Sequence, residues 1–472
     1  MSTRIERDSL GEREVPADVY YGIHTLRSLE NFSFSDKKFQ SEFIESLAII
    51  KLAAVRVNRK LGFIDEKRAG AIEKASLELI EGRFSDQFPL DIFQSGSGTS
   101  TNMNINEVIA NRACEILGAK KGDRSVVHPN DHVNMGQSTN NVIPTAMRMT
   151  ALRLMDDLIA SLRRLSTSFK RKSEEFRGVI KSGRTHLQDA VPITLGQEFH
   201  AYQTALRKDL IRLEQAKENL REIGVGGNAV GTGINTHPDF RHEVVMEISR
   251  ITGVEFKVPQ DGIEITQFLT DIAHLSSILR LISLDINKIA NDLRLLASGP
   301  KTGLYEIVIP PVEPGSSIMP GKVNPSILEA VNMACLAIQG NDYIIANAAQ
   351  AGQLELNTHM PIVAYCIIDS IKLLSRIGVL MAEKCVDGID VNEDRCREYF
   401  EKSIGLATVL NPYIGYDRAA EVAKEALREG RTIREIVLEK GILDEDELDS
   451  ILDHERITSP NLEKVRKVNK ML

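Results

Sequence analysis

The sequence predicts an all-α protein built around a bundle of long helices. Apolar residues recur every three or four positions from 261 to 299 with no internal proline, which is the period of an amphipathic helix. Thirty helical residues span about 45 Å, longer than a small domain is wide, so this helix needs partners of comparable length. Strand-like alternation of apolar and polar residues is scarce throughout the chain.

Four further segments have helical spacing and few helix breakers: 145–177, 195–223, 327–348 and 361–385. Five long helices favour a bundle. The apolar stripe on several of them is wider than contact within one bundle requires, which indicates burial between subunits of a symmetric oligomer. From 391 onward the chain is highly charged with short helical patterns such as 432–439, and we expect a small C-terminal domain there.

The composition narrows the classes of function. The chain has 472 residues, of which 42% are hydrophobic, enough for a substantial core. Its formal net charge of -8 comes without a long single-sign block, which argues against nucleic acid or a membrane surface as partner. Since no apolar leader or stretch of about 18 apolar residues is found, we expect a cytoplasmic protein.

The spacing of the cysteines and histidines matches no common metal-binding motif. The five cysteines are an odd number without a CxxC pair, which favours reduced thiols. The ten histidines show no HExxH spacing, so we expect no metal and no other cofactor. The segments SGSGTST and GGNAVGTG lack the phosphate-loop spacing or a preceding strand, which leaves nucleotide binding a weak alternative.

Polar loops between the helices carry the candidate chemistry. Runs rich in Gly, Ser, Thr and Asn occupy 94–106, 128–145, 182–192 and 315–325, with a fifth at 224–238. They supply short donors and cations, namely Ser97, Thr99, Ser138, Thr139, Asn140, Thr185, His186 and Lys322. Such a set suits a small dicarboxylate, because hydroxyl and amide groups fix carboxylate oxygens while a lysine supplies charge. One such loop alone is more often a turn or helix cap, but four in one chain favour a binding site.

The segment GSSIMPGKVNP at 315–325 is the signature loop of a known group, and the chain resembles the class II fumarase and aspartase superfamily along essentially its whole length. The matching segments follow in family order: VPADVYYGIHTLRSLENF, SGSGTSTNMNINEVIANRA, HPNDHVNMGQSTN, SGRTHLQDAVPITLGQE, GTGINTHPDF, NDLRLLASGP and LNPYIGYDRAAEVAKEA. The resemblance implies three domains, 1–138, 139–390 and 391–472. It also implies a homotetramer whose central five-helix bundles form a twenty-helix core, with active sites built from loops of three chains.

The resemblance also implies a role for each polar residue. Ser316 is the base that removes the Cβ proton, His186 and Asn140 face the leaving group, and Glu329 pairs with His186. The carboxylate next to the leaving group is held by Lys322, Asn324 and Thr185. The other carboxylate is held by Thr99, Ser138, Thr139 and Ser317. A second carboxylate site is implied at His128, Pro129, Asn130 and Asp131.

These roles are chemically reasonable. Removal of a proton next to a carboxylate generates an enediolate, so donors must be aimed where the extra negative charge develops. The glycines of 315–321 let backbone N–H groups approach the substrate and let the loop close over it. A serine is a weak base, so its alkoxide needs such donors and Lys322 nearby.

The leaving group is the open issue. Some segments are similar to those of aspartases, which release ammonia. They are YYGIHTLRSLENF, QSTN, AGQLELN and REIVLEKGILDEDEL. Other features are similar to fumarases. Ser97 stands where aspartases usually have alanine, the HPND segment is present, GGNAVGTG has the fumarase glycine, and the aspartase proline before Glu329 is missing. Since site contacts set specificity, the sequence favours fumarate hydratase, with aspartate ammonia-lyase as the alternative. Asn141 departs from both groups, which normally have Asp there.

Two other classes fit less well. Argininosuccinate and adenylosuccinate lyases share the fold, but their signature loops differ from PGKVNP. A non-catalytic relative, such as a lens-type structural protein or a helical scaffold, would be expected to have lost Ser316, Lys322 or His186. All three are present.

Overall fold

The computed structural model describes residues 2–460. In that part of the chain the all-α prediction is confirmed, since seventeen helices are accompanied by only three two-stranded sheets. The strands are β1 (Thr3–Asp8), β2 (Gly11–Pro16), β3 (Ile180–Thr185), β4 (Gln188–Thr194), β5 (Ile307–Val308) and β6 (Asp390–Val391). Each sheet is one antiparallel pair, β1 with β2, β3 with β4 and β5 with β6.

The helices fall into a long central set and shorter ones at both ends. The first four are α1 (Ile23–Asn31), α2 (Ser41–Lys60), α3 (Glu66–Ile80) and α4 (Thr99–Ile116). The middle of the chain forms α5 (Thr139–Glu175), α6 (Leu195–Asn219), α7 (Phe240–Thr252), α8 (Glu264–Gln267), α9 (Thr270–Leu296), α10 (Ser326–Gln350) and α11 (Met360–Lys384). The last six are α12 (Glu393–Lys402), α13 (Leu406–Ile414), α14 (Tyr416–Glu429), α15 (Ile433–Glu439), α16 (Glu445–Ile451) and α17 (His454–Ile457).

All five predicted long helices are present, as α5, α6, α9, α10 and α11, but one is interrupted. The segment predicted as a single helix over 261–299 contains the short α8, a break at Phe268 and then α9. Phe268 has extended backbone angles and is exposed. Its position matches the helical spacing of apolar residues, although its side chain does not belong to the buried stripe. The sequence pattern therefore did not reveal the break.

The chain divides into two compact units. The first takes in residues up to 159, 211–283 and 336–375, and the second takes in 160–210, 284–335 and the chain from 376 onward. Every boundary falls inside one of the five long helices. The predicted three-domain division and the twenty-helix tetramer core stay predictions.

Within the first unit, α2 is the central element. It packs against α3 and α7, and fourteen of its twenty residues are buried. α4 packs against α1 and α3. This packing fixes the first turn of α4, where the predicted donor Thr99 lies.

Within the second unit, the C-terminal helices have an apolar cluster of their own, drawn from α12 to α16 and from Ile180 of β3. The predicted helical pattern at 432–439 is confirmed as α15. Thr432 caps this helix by accepting the N–H of Glu435, and the Glu435 carboxylate accepts the N–H of Thr432 in return. In residues 2–460 we find no helix that is both long and apolar enough to span a bilayer.

Candidate active site

The first predicted donors lie where α4 begins. Gly98 caps the helix with φ 84°, and Thr99 is its first residue. The Ser97 and Thr99 hydroxyls are 2.7 Å apart. Gly96 packs so closely on Thr358 that a Cβ atom would overlap the Thr358 carbonyl oxygen. The SGSGT segment therefore needs both glycines, one for a left-handed turn and one for a close approach.

A second set of donors lies where α5 begins. The amide nitrogen of Asn102, in the first turn of α4, donates to Thr139 Oγ1 at 2.9 Å. That bond ties the N-terminal ends of α4 and α5 together. Because helix N-termini carry partial positive charge and unpaired N–H groups, the two ends favour an anion.

The neighbours of Thr139 are held by the same unit. Ser138 Oγ accepts the N–H of Asn140 at 3.3 Å, and the Asn140 amide donates to the carbonyl of Ala229 at 2.7 Å. Asn141 is buried and donates to Thr266 Oγ1 at 2.8 Å. The departure at Asn141 therefore changes a buried contact with the short helix α8.

The predicted second carboxylate site adjoins the first. A cavity of about 560 Å³ is lined by Thr99 together with His128, Pro129 and Asn130. The N–H groups of Asn130 and Asp131 donate to His128 Nδ1 at 3.2 and 3.1 Å, so a neutral His128 carries its proton on Nε2. Arg27 and Arg124 also line this cavity, although no motif in the sequence indicated them.

In the second unit, the predicted loop at 182–192 is a β-hairpin instead. Thr185 pairs with Gln188, which leaves His186 and Leu187 as a two-residue turn with φ of 56° and 59°. Two positive φ angles are usual for Asn-Gly turns and uncommon for other residues. The prediction failed because neither turn residue is a typical hairpin former. The turn presents Thr185 and His186 as exposed side chains.

A buried charge cluster anchors this hairpin. Lys181 Nζ lies 2.7 Å from Glu198 and 2.8 Å from Glu306, and Arg184 lies 2.8 Å from Glu306. Burial acts to lower the pKa of Lys181, but the two carboxylates outweigh it and raise the pKa. The ion pairs of Lys181 and Arg184 therefore hold β3 in place next to the turn that carries His186.

The signature loop at 315–325 closes on itself. The Gly315 N–H donates to the Lys322 carbonyl at 2.9 Å, and the Asn324 amide donates to the Gly315 carbonyl at 2.5 Å. A Cβ atom at Gly315 would overlap the Lys322 carbonyl oxygen. The neck of the loop thus depends on a glycine, and Asn324 helps to close it.

The predicted base receives two backbone donors. Ser316 Oγ accepts the N–H of Met319 at 3.0 Å and that of Ile318 at 3.3 Å. Such donors favour an alkoxide over a neutral hydroxyl. Ser317 and Lys322 are exposed on the same loop.

Glu329 lies in the first turn of α10, where it forms an ion pair with Arg294 at 3.6 Å. Its pairing with His186 stays a prediction. The structure places Ser97, Thr99, Ser138, Thr139, Asn140 and 128–131 in the first unit, and Thr185, His186, Ser316, Ser317, Lys322, Asn324 and Glu329 in the second. No group of three or more His, Cys, Asp or Glu side chains in 2–460 is arranged to hold a metal ion.

Comparison with known proteins gives matches along nearly the whole chain. A lyase family model matches residues 11–340, and a model of the fumarase C C-terminus matches 406–459. An aspartate ammonia-lyase of Pseudomonas aeruginosa is 49% identical over 98% of each chain. A class II fumarate hydratase of Halobacterium salinarum is 50% identical over 96% of this chain and 97% of its own. A solved fumarate lyase:delta crystallin from Brucella melitensis has a TM-score of 0.94 and 49% identity, covering 97% of this chain and 100% of its own.

Proposed function

Because this chain belongs to the fumarase/aspartase superfamily of lyases, we propose that it catalyses the reversible anti addition of water to fumarate, which gives L-malate. The observation that carries the choice of water is Ser97. Its hydroxyl lies 2.7 Å from that of Thr99, and only 9% of the residue is exposed. A buried hydroxyl beside the carboxylate donors can hold a water molecule, whereas an alanine there could not.

In the direction of elimination, Ser316 removes the proton from Cβ of L-malate. The negative charge then develops on the carboxylate attached to Cβ. Thr99, Ser138 and Thr139 hold that carboxylate at the N-terminal ends of α4 and α5, with Ser317 from the signature loop. Fixed donors and helix dipoles at this point stabilise the enediolate more than the ground state.

The other half of the substrate is held by a different set of residues. Thr185, Lys322 and Asn324 bind the carboxylate next to the leaving group. His186, oriented by Glu329, and Asn140 face the leaving hydroxyl and assist its departure as water. The segment 128–131 binds a second carboxylate in the cavity that it shares with Thr99.

The site is completed by other copies of the chain in a homotetramer. α10 supports this part of the proposal, because it exposes Met333 (66%), Leu336 (61%) and Tyr343 (73%) at intervals of three and seven residues. Such spacing puts them on one side of the helix. An apolar face of this kind on a long helix suits burial between subunits.

A second candidate is the deamination of L-aspartate to fumarate and ammonia. It is favoured by relatives that are aspartate ammonia-lyases, including the Pseudomonas aeruginosa protein. The same base and the same carboxylate donors would serve, so the two reactions differ only at the leaving group.

The two reactions are separated by one assay. Purified protein is mixed with L-malate and, in parallel, with L-aspartate, and the rise in fumarate absorbance is followed. We expect fumarate from L-malate, with a far slower rate from L-aspartate. Fumarate from L-aspartate alone would replace the hydratase proposal with the ammonia-lyase.

A further inference from the structure

One lysine of α2 is buried in a place where a charge is costly. Lys51 is fully buried within the run Leu47–Val55, whose other members are apolar. No carboxylate in the described part of the chain forms an ion pair with it. Moving an unpaired ammonium out of water carries a large free-energy penalty, so a lysine here needs strong compensation.

The compensation comes from three side-chain amides. Lys51 Nζ donates to the oxygens of Asn102, Asn134 and Gln137 at 2.8, 2.9 and 2.9 Å. An ammonium has three N–H donors and no acceptor, which matches three oxygens that only accept. Burial lowers the pKa of Lys51, and these three acceptors act in the opposite direction by binding the protonated form.

The amides cannot be turned to present nitrogen instead. The Asn134 amide nitrogen donates to the Gln137 carbonyl at 3.1 Å, and the Gln137 amide nitrogen donates to the Val133 carbonyl at 3.0 Å. The Asn102 amide nitrogen donates to Asn134 Oδ1 at 3.2 Å. Because each of the three amide nitrogens has an oxygen partner of its own, each amide oxygen must face Lys51. The cluster is therefore built around a cation.

Asn102 connects this cation to the candidate active site. Its oxygen accepts from Lys51, while its nitrogen donates to Thr139 Oγ1 at 2.9 Å. A cation on the oxygen polarises the amide and makes its N–H a stronger donor. Since Thr139 Oγ1 accepts that bond, the Thr139 hydroxyl proton is available to a ligand.

We infer that Lys51 is a positioning residue for the proposed reaction: through Asn102 it holds Thr139 as a hydroxyl donor and places an unneutralised positive charge behind the carboxylate that becomes the enediolate. Lys51 itself does not touch the substrate. The inference rests on the proposed function, because it assigns Lys51 to the site formed by the N-terminal ends of α4 and α5.

The decisive variant is Asn102→Asp. An aspartate keeps the shape and holds Lys51 more strongly, but it neutralises the charge and has no N–H for Thr139. The Thr139 hydroxyl then turns its own proton back to the new carboxylate. If Lys51 only stabilises the fold, this change should leave the activity intact, because Lys51 keeps a partner. If Lys51 positions Thr139 and supplies charge, the activity should fall.

The expected result is a kcat for L-malate at least tenfold lower, a dissociation constant for succinate at least threefold higher by calorimetry, and an unchanged or higher Tm. Lys51→Met should give the same kinetic losses; if it does not fold, Asn102→Asp alone decides. The matched control is Asn58→Asp. Asn58 lies on α2, as Lys51 does, and its side-chain amide donates only to the Met135 carbonyl. It should lower Tm yet leave kcat within twofold.

The inference is overturned if Asn102→Asp keeps kcat and succinate affinity within twofold of the unaltered protein. It is also overturned if Asn58→Asp lowers kcat as much as Asn102→Asp does. Failure of the proposed function gives a different result, in which the unaltered protein does not convert L-malate. Succinate binding then still tests the link between Lys51 and Thr139, because it needs no turnover.

Discussion

The donors at the start of α4 and α5 differ sharply from the signature loop at 315–325. The first set is held by bonds between elements, with the buried Lys51 of α2 joined to the buried Asn102 of α4 and then to the half-buried Thr139 of α5. The loop is exposed, with Ile318 83% accessible, and the bonds at its neck and at Ser316 stay within 315–324. We therefore expect the first region to be held by the core and the loop to move as a unit.

This difference assigns a different task to each region. A developing charge is stabilised best by donors that need no rearrangement, and the donors bonded together at the start of α4 and α5 meet that requirement. A base must reach the substrate and exclude water, which suits a self-contained loop with few outside contacts. In the proposed reaction the base is thus carried by the signature loop, and the developing charge is received by the donors at the start of α4 and α5.

The largest effect is expected from Ser316→Ala, which removes the base from the loop. We expect kcat for L-malate to fall by about 10³-fold or more, with the oligomer unchanged by size-exclusion chromatography. Ser317→Ala is the matched control, and it should mainly raise KM because the proposed role of Ser317 is to bind a carboxylate. Rates near the unaltered level for Ser316→Ala would remove this serine from its role.

Gly315→Ala tests whether the loop needs its closed neck. The new methyl group would overlap the Lys322 carbonyl oxygen and open the neck, so we expect kcat to fall by about 10²-fold. Gly321 is the control, since it has a positive φ but nothing within 4 Å of an added Cβ. Gly321→Ala should cost about 1 kcal/mol of local strain and much less activity. Equal losses in both variants would mean that neck geometry is not what matters.

Ser97→Ala tests the rigid region at the leaving group. We expect a fall of about tenfold in fumarate formation from L-malate, because one hydrogen bond to the water is lost. Any activity with L-aspartate should change less than twofold. An equal effect on both substrates would show that Ser97 does not select water.

The smallest effect on activity is expected from Asp387→Asn, which alters neither region. Burial acts to raise the pKa of Asp387, but hydrogen bonds from Arg164 and Arg171 outweigh it and lower the pKa from 3.8 to about 2. The ionised carboxylate therefore stabilises the fold above pH 3.8, and this contribution is lost as the pH falls to about 2.

At pH 7 we expect Asp387→Asn to lower the free energy of unfolding by about 1–2 kcal/mol, with kcat unchanged. Thermal melts between pH 2 and 7 should show the two proteins converging below pH 4. A constant difference across that range would assign the effect to packing instead of charge.

Much of the fold could be predicted because long helices repeat their pattern many times. The five central helices follow from their spacing, while the break at Phe268 does not, since an exposed apolar residue fits the same pattern. The hairpin at 180–194 was missed because its turn residues, His186 and Leu187, adopt left-handed backbone angles that are not typical of histidine or leucine.

The site could be predicted only in part. Polar residues clustered in short segments, such as Ser316 and Thr139, are visible in the sequence. Lys51 and Asn102 were missed because their role depends on three helices meeting in space. A charged residue inside LAIIKLAAV was the available signal, and its meaning appears only when its three amide partners are known.

The most direct test of the contrast between the rigid and movable regions is amide hydrogen exchange on the unaltered protein, with and without saturating succinate. We predict that peptides covering 315–323 exchange fast without ligand and at least tenfold more slowly with it, while 99–106 and 139–147 stay protected in both states. A loop already as protected as these helices without ligand, or one that does not respond while the helices do, would contradict the account.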